Sequence, residues 1–181
     1  MDESNQARDA WLALRCQSGE PGAFDDLVAA MERPLFYYAL KLTRGQDVAC
    51  DILQETWLRA FRGIRRLKDP ERLRAWLYKL VHGIYVDTVR HEAARVRAEE
   101  EHGAQTEEAS DEAFPSGNST AIHLALDHLE PLQREVLVLH FLEEFSIADI
   151  AQIVDCAEGT VKSRLHYAKK AMKVILTRGN L

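Results

Sequence analysis

The side chains of this chain that could do chemistry are mostly cations, hydroxyls and rings, and they fall on helical faces. From Ser146 to Met172 the sequence reads SIADIAQIVDCAEGTVKSRLHYAKKAM. At about 100° per residue, Gly159, Lys162, Ser163, His166, Tyr167, Lys169, Lys170 and Lys173 turn away from the apolar stripe Val161, Leu165, Ala168 and Met172. Arg164 sits on the flank, and Thr160 follows Gly159 in the first turn. Cations along a helix neutralise phosphates, while Ser, Lys, His and Arg can hydrogen-bond base edges in the major groove. Glycine near the helix start permits close approach of backbone to backbone. This is the chemistry of reading duplex DNA.

A second set lies in LRAWLYKLVHGIYVDTVRHE. Around a core stripe of Leu73, Leu77, Leu80, Ile84 and Thr88 stand Arg74, Trp76, Tyr78, Lys79, His82, Tyr85 and Arg90. Bases unstacked from a duplex can lie on rings while cations follow the backbone, so this mixture suits a single strand. Arg74, Lys79 and Arg90 are the phosphate contacts it points to first. A third set lies on the helix expected from Asp47 to Ile64. Opposite Val48, Ile52, Thr56 and Ala60, that helix presents Asp51, Glu55, Leu58 and Arg62, flanked by Gln54 and Phe61. Two apolar side chains amid acids and amides on an outward face predict a protein-contact patch with a polar rim.

Covalent and metal chemistry find no comparable pattern. Cys16, Cys50 and Cys156 are odd in number and far apart, and read as small apolar residues. The seven histidines have no CxxC or HExxH companion. Scattered residues such as His82 and Asp87 lack a nucleophile or phosphate loop. The expectation is a binding protein, not an enzyme, with no cofactor and no metal.

The elements that position these faces are helices. Ile147, Ile150, Ala151 and Val154 form one buried stripe, opened by Ser146 with Asp149 three residues on, a capping-box-like start. Only Asp155 to Gly159 separate this helix from the next, so the two must cross steeply as a helix-turn-helix. Five prolines, nine glycines and apolar residues at helical spacing throughout 181 residues predict an all-α protein. No apolar run could span a membrane and no signal-peptide pattern is visible, so the expected location is the cytoplasm, with no membrane insertion.

The net charge of −6 is distributed in blocks. From Arg59 to Arg97 cations dominate, among them Arg65, Arg66, Lys68 and Arg72 between two helices. From Ala98 to Thr120 there are seven acids and no Lys or Arg. Exposed charges are felt over only about 8 Å at physiological salt, so the blocks matter more than the total. Met1 to Gln6 reads as a frayed end, Ala10 to Cys16 as helix, and Pro21–Gly22 as a break. Ala23 to Leu42 is apolar at helical spacing, with Pro34 predicting a kink or two abutting helices. Helices follow over Asp47–Ile64 and Leu73–His91, then Ile122–Leu129 and the segment from Pro131. The predicted organisation is an N-terminal helical bundle (1–97), a flexible acidic linker (98–120) and a C-terminal four-helix domain carrying the helix-turn-helix (121–181).

The order AFDDLV, DILQETWLRAF, RAWLYKLV, VDTVR, an acidic linker and then PLQREVLVLHFLEEFSIADIAQIVDCAEGTVKSRLHYAKK resembles bacterial RNA polymerase sigma factors of the extracytoplasmic-function group, within the sigma-70 family. The resemblance runs from Ala23 to Leu176. It implies a transcription initiation factor that directs core polymerase to promoters and helps open them. Asp51, Gln54, Glu55, Leu58, Phe61 and Arg62 would then face core RNA polymerase. Arg65, Arg66, Lys68, Arg72, Arg74, Trp76, Tyr78, Lys79, His82 and Arg90 would meet the promoter −10 element and its melted strand. Gly159, Thr160, Lys162, Ser163, Arg164, His166, Tyr167 and Lys170 would enter the major groove of the −35 element. The family is often held inactive by an anti-sigma partner. His82–Gly83 stands where the family often has Arg-Asn, Asp155 replaces a frequent glycine in the turn, Ala157 replaces a capping Ser or Pro, and Tyr167 replaces a frequent arginine. The competing reading is a stand-alone helix-turn-helix regulator that binds a palindromic operator without polymerase.

Overall fold

A helix that meets a proline loses one backbone hydrogen bond, yet the apolar stripe of the second segment is strong enough to carry it through. In the computed structural model, which describes residues 3–100 and 118–178, α2 (Ala23–Thr43) runs past Pro34 as one helix. It buries Leu27, Met31, Leu35, Tyr38 and Leu42, spaced so that burial on one face offsets the lost bond. Arg44 ends it in the left-handed conformation (φ 59°), its N–H returning to the Leu40 carbonyl. Before it, α1 (Glu3–Ser18) takes in Glu3 to Gln6 of the stretch expected to fray, while Met1 and Asp2 lie outside the described residues.

After α2 come α3 (Gln46–Gly63) and the long α4 (Leu73–Glu100). The latter continues three residues into the stretch expected as linker; the rest of that stretch up to residue 117 lies outside the described residues. The buried side of α3 is Ala49, Ile52, Leu53, Thr56 and Ala60, while Val48 is exposed, so the stripe is turned by one residue from the expected one. Thr56 is tolerated there because its hydroxyl donates to the Ile52 carbonyl at 2.7 Å. Between α3 and α4 the chain makes two short 3₁₀ turns, Ile64–Arg66 and Pro70–Arg72. Gln17 of α1 holds this connection, its amide donating to the carbonyls of Ile64 (3.1 Å) and Leu67 (2.7 Å).

The C-terminal half contains α5 (Asn118–Asp127), α6 (Pro131–Leu137) continuing as a π-turn to Leu142, α7 (Ile147–Ile153) and α8 (Glu158–Arg178). Among the described residues there is no strand, so the fold is all-α. The two halves do not stand apart. A continuous apolar core joins α2 and α4 of the first half to α6 and α7 of the second. Such packing was not expected from the sequence, because its polar members look like surface residues when read singly.

Local capping follows the sequence closely in the second half. The Ser146 hydroxyl accepts from the Asp149 N–H at 3.1 Å and donates to its carboxylate at 2.6 Å. Replacing Ser146 with Ala is expected to lower unfolding free energy by about 1 kcal/mol, read from urea denaturation; an unchanged midpoint would show that the cap contributes nothing.

Candidate nucleic-acid and polymerase interfaces

The turn of the helix-turn-helix is built by one backbone excursion. Asp155 adopts φ 48°, and the Cys156 N–H closes back onto the Ala151 carbonyl at 3.0 Å, satisfying an orphan acceptor at the end of α7. Helix α8 then buries Val161, Leu165 and Ala168, with Met172 half-buried. Gly159, Thr160, Lys162, Ser163, His166, Tyr167 and Lys170 are exposed on its outer side, and Arg164 is half-buried with Nη1 3.9 Å from the Cys156 sulfur. Ser163 spends its proton on the Gly159 carbonyl (3.0 Å), which leaves its oxygen free to accept. From Gly159 to Arg178 the helix has no acidic residue.

On α3, Asp51, Gln54, Leu58, Phe61 and Arg62 are exposed, and Glu55 is partly so, paired with Arg59 at 2.7 Å. Leu58 is 52% exposed and Phe61 65%, large values for apolar side chains on a helix that packs on its other face. Phe61 is steadied by an edge-on contact with Phe24 at 5.1 Å between ring centres. The patch is therefore apolar at its centre, rimmed by charge and amide, and pre-formed.

The residues assigned to the −10 element divide into two groups. Arg65, Arg66, Lys68, Lys79 and Arg90 are exposed. Lys79 and Arg90, eleven residues apart, share one face of α4. Trp76 is half-buried, its ring packed against Gly63, where a Cβ would sit 3.0 Å from the indole. Arg74, Tyr78 and His82, four residues apart in series, form the other face, and the C-terminal half covers it. Tyr78 is fully buried, as Phe145 is beside it, with ring centres 4.9 Å apart. Its hydroxyl and Arg74 Nη2 both donate to Glu143, the latter at 2.6 Å. His82 Nδ1 and the Tyr38 hydroxyl both meet Glu135 Oε1 at 2.7 Å. Burial first, and then the neighbouring glutamate, hold the Tyr38 and Tyr78 hydroxyls well above the usual phenol range, so both act as donors. Arg72, exposed at the edge, reaches Gln152 at 2.6 Å and Asp149 at 3.5 Å.

Further ties lie along α2. Lys41 Nζ bonds both carboxylate oxygens of Asp127, at 2.7 and 2.9 Å, and Tyr37 shares a 2.6 Å bond with His123. Burial lowers the His123 pKa, with Lys41 adding to the shift and Asp127 opposing it. Sequence reasoning singled out Arg74, Tyr78 and His82 but missed their partners and the ties along α2. The available signal was Glu135 and Glu143 at core-facing positions of an otherwise apolar helix.

Comparison with known proteins decides what these surfaces belong to. Residues 27–95 match the model of sigma-70 region 2, and residues 119–172 that of sigma-70 region 4. The chain is 35% identical over 145 residues to the ECF RNA polymerase sigma factor SigL of Mycobacterium tuberculosis, covering 78% of this chain and 82% of that one. It is 32% identical over 152 residues to the ECF sigma factor EcfG of Rhodopseudomonas palustris, covering 84% and 83%. The chain belongs to the extracytoplasmic-function sigma factors. Such proteins are transcription initiation factors that give RNA polymerase its promoter specificity. The fold is that of the Bartonella quintana sigma factor RpoE, solved in complex with the anti-sigma factor NepR (TM-score 0.72, 24% identity, 88% of this chain and 99% of that one). Among the described residues no cluster could hold a metal ion and no helix is long and apolar enough to cross a membrane.

Because the sigma factor's two halves meet through buried carboxylates, removing one should part them. Glu143→Ala, which leaves Tyr78 and Arg74 without that acceptor, is expected to increase the radius of gyration in small-angle scattering while helical content stays constant. An unchanged radius would mean that apolar packing alone holds the halves.

Proposed function

We propose that this sigma factor docks on core RNA polymerase through Asp51, Gln54, Glu55, Leu58, Phe61 and Arg62, and contacts promoter DNA through two separate faces. Residues 1–97 form the unit for polymerase and the −10 element, 98–120 the linker, and 121–181 the unit for the −35 element. The observation that carries the reading is the coexistence on one chain of an exposed apolar patch on α3 and an acid-free cationic face on α8. A stand-alone operator binder has use for the second and none for the first.

In the −35 contact, Lys162, Ser163 and Arg164 approach base edges, while His166, Lys170 and the backbone at Gly159 and Thr160 meet phosphates; Tyr167 offers a ring where a cation would strengthen binding. In the −10 contact, Arg65, Arg66, Lys68, Arg72, Lys79 and Arg90 track the backbone, and Arg74, Trp76, Tyr78 and His82 meet the melted strand. The packing of Arg74, Tyr78 and His82 against Glu143 and Glu135 supports a two-state reading, in which the halves part before this second contact forms. The protein works in the cytoplasm without a catalytic step of its own, and a protein inhibitor of the anti-sigma kind is a natural partner for such a hinged pair.

Two substitutions separate the surfaces. Leu58→Asp places an unpaired charge at the polymerase interface and is expected to abolish binding to core enzyme in a pull-down with circular dichroism unchanged. Retained binding would remove α3 from the interface. Lys162→Ala is expected to weaken binding of the reconstituted holoenzyme to its −35 sequence by roughly 1–3 kcal/mol. If the loss is equal on every DNA sequence, Lys162 contacts phosphate and reads no base.

A further inference from the structure

Where α2 ends against the α5–α6 turn, the two halves form an open cleft of about 360 Å³. Its walls are Leu42, Thr43 and Arg44 on one side and His128 to Pro131 with Arg134 on the other. Arg134 is 2% exposed, and its Nε and Nη1 atoms have no hydrogen-bond partner among the described residues. The acids whose charge reaches it are already engaged. Asp127 takes both bonds from Lys41, and Glu135 Oε1 takes Tyr38 and His82. Glu130, the one carboxylate on the walls, is exposed. Burial, and after it the charge of Arg44, pushes the Arg134 pKa down. An arginine nevertheless keeps its proton in a protein. A buried guanidinium with idle donors beside a second cation is an electrostatic deficit that an anion would cancel.

Arg44 is held at the cleft by bonds from Nη2 to the carbonyls of Asp127 (2.6 Å) and Leu129 (3.2 Å). Its charge is neutralised by neither, since carbonyls carry no net charge. At about 30 Å³ per water the space holds on the order of ten waters, enough for a phosphate or diphosphate group with solvent around it.

We propose that this cleft is a binding site for a free phosphate-class anion, seated between Arg44 of the N-terminal half and Arg134 of the C-terminal half. Arg134 Nε and Nη1 are themselves closed off from solvent, so the attraction of the pair for a phosphate is through the charge of the two guanidiniums. Because the two arginines come from different halves, the anion binds the closed arrangement and stabilises it against the parted one by mass action.

The probe is inorganic pyrophosphate, titrated into the full chain by calorimetry. One-to-one binding is expected, with Tm raised by roughly 5–10 °C at about a hundredfold excess over Kd. The radius of gyration should stay compact. Arg134→Gln and, separately, Arg44→Gln should each weaken binding about tenfold or more, since each removes a charge-assisted contact. Arg33→Gln, at an exposed position on α2, should leave it unchanged. Should Arg134→Gln fail to fold, Arg44→Gln carries the same test. No binding overturns the proposal, and so does binding that both arginine variants retain, which would mark an adventitious ion only. A random-sequence duplex that needs Arg134, expands the chain in scattering and is not displaced by pyrophosphate would overturn it too, assigning the site to a DNA phosphodiester. None of these readouts involves polymerase or a promoter, so a negative result leaves the promoter reading standing.

Discussion

Two glutamates eight residues apart, Glu135 and Glu143, are carried on α6 and the π-turn into a region that water does not reach. An ionised carboxylate there costs several kcal/mol unless its lone pairs are filled. Each is met by two donors, one of them a tyrosine buried deeply enough to keep its proton. Neither half could bury these groups alone, because the donors belong to α2 and α4 and the acceptors to the other body. The arrangement therefore specifies a register more than it supplies stability. A slip by one helical turn would leave two carboxylates and two phenols unpaired together.

That register decides what each functional face can do. The stripe Arg74, Tyr78 and His82 is the part of α4 best suited to stacking and phosphate contact, and it is the part already occupied. The carboxylates meet the same kinds of donor that the phosphates of a melted strand would need in the proposed −10 contact. By contrast Lys79 and Arg90, on a face turned about 100° away, stay in solvent, as do the cations of the α3–α4 connection. Helix α8 is likewise open. In this state the outer face of α8 and the α3 patch proposed for polymerase are open, while the face of α4 proposed for the single strand is closed.

Periodicity made most of the helices legible in the sequence, because each segment buries one stripe in its own half and 3.6-residue spacing records that directly. Ser146 with Asp149 and the Asp155 turn were legible for the same reason, being local. Of the two readings Pro34 allowed, two abutting helices are ruled out by the single α2, because the cost of the proline is local while the compensating burial of Leu27, Met31, Leu35 and Tyr38 is spread over about three turns. On α4 the expected stripe ran through Leu80 and Thr88, whereas Tyr78 and Val81 are buried, since this helix packs on two partners and no single period describes it. Arg74, Tyr78 and His82 were recognised as chemically distinctive, but not as covered. Their partners lie 53 to 69 residues away in sequence, and such pairing leaves no trace in spacing.

Electrostatics links these observations. The chain carries a net charge of −6, yet its exposed cations are gathered on α8 and along the α3–α4 region. At physiological salt a phosphate contact responds to charges within about 8 Å, so the cations on α8 itself matter more to such a contact than the net charge of the chain. A single helix in a major groove engages few phosphates, so it releases few counterions and gains little affinity from them. Strong promoter binding thus calls for the second face to join the first, and the second face is held by carboxylates that do not dissociate from their donors for free. If α3 docks through Leu58 and Phe61 as proposed, the interface energy gained there would be available to hold apart two bodies whose mutual contacts lie on α2 and α4. Helix α3, proposed to face polymerase, and the covered helix α4 are packed neighbours in one bundle. Rearrangement on docking can therefore pass directly from one to the other.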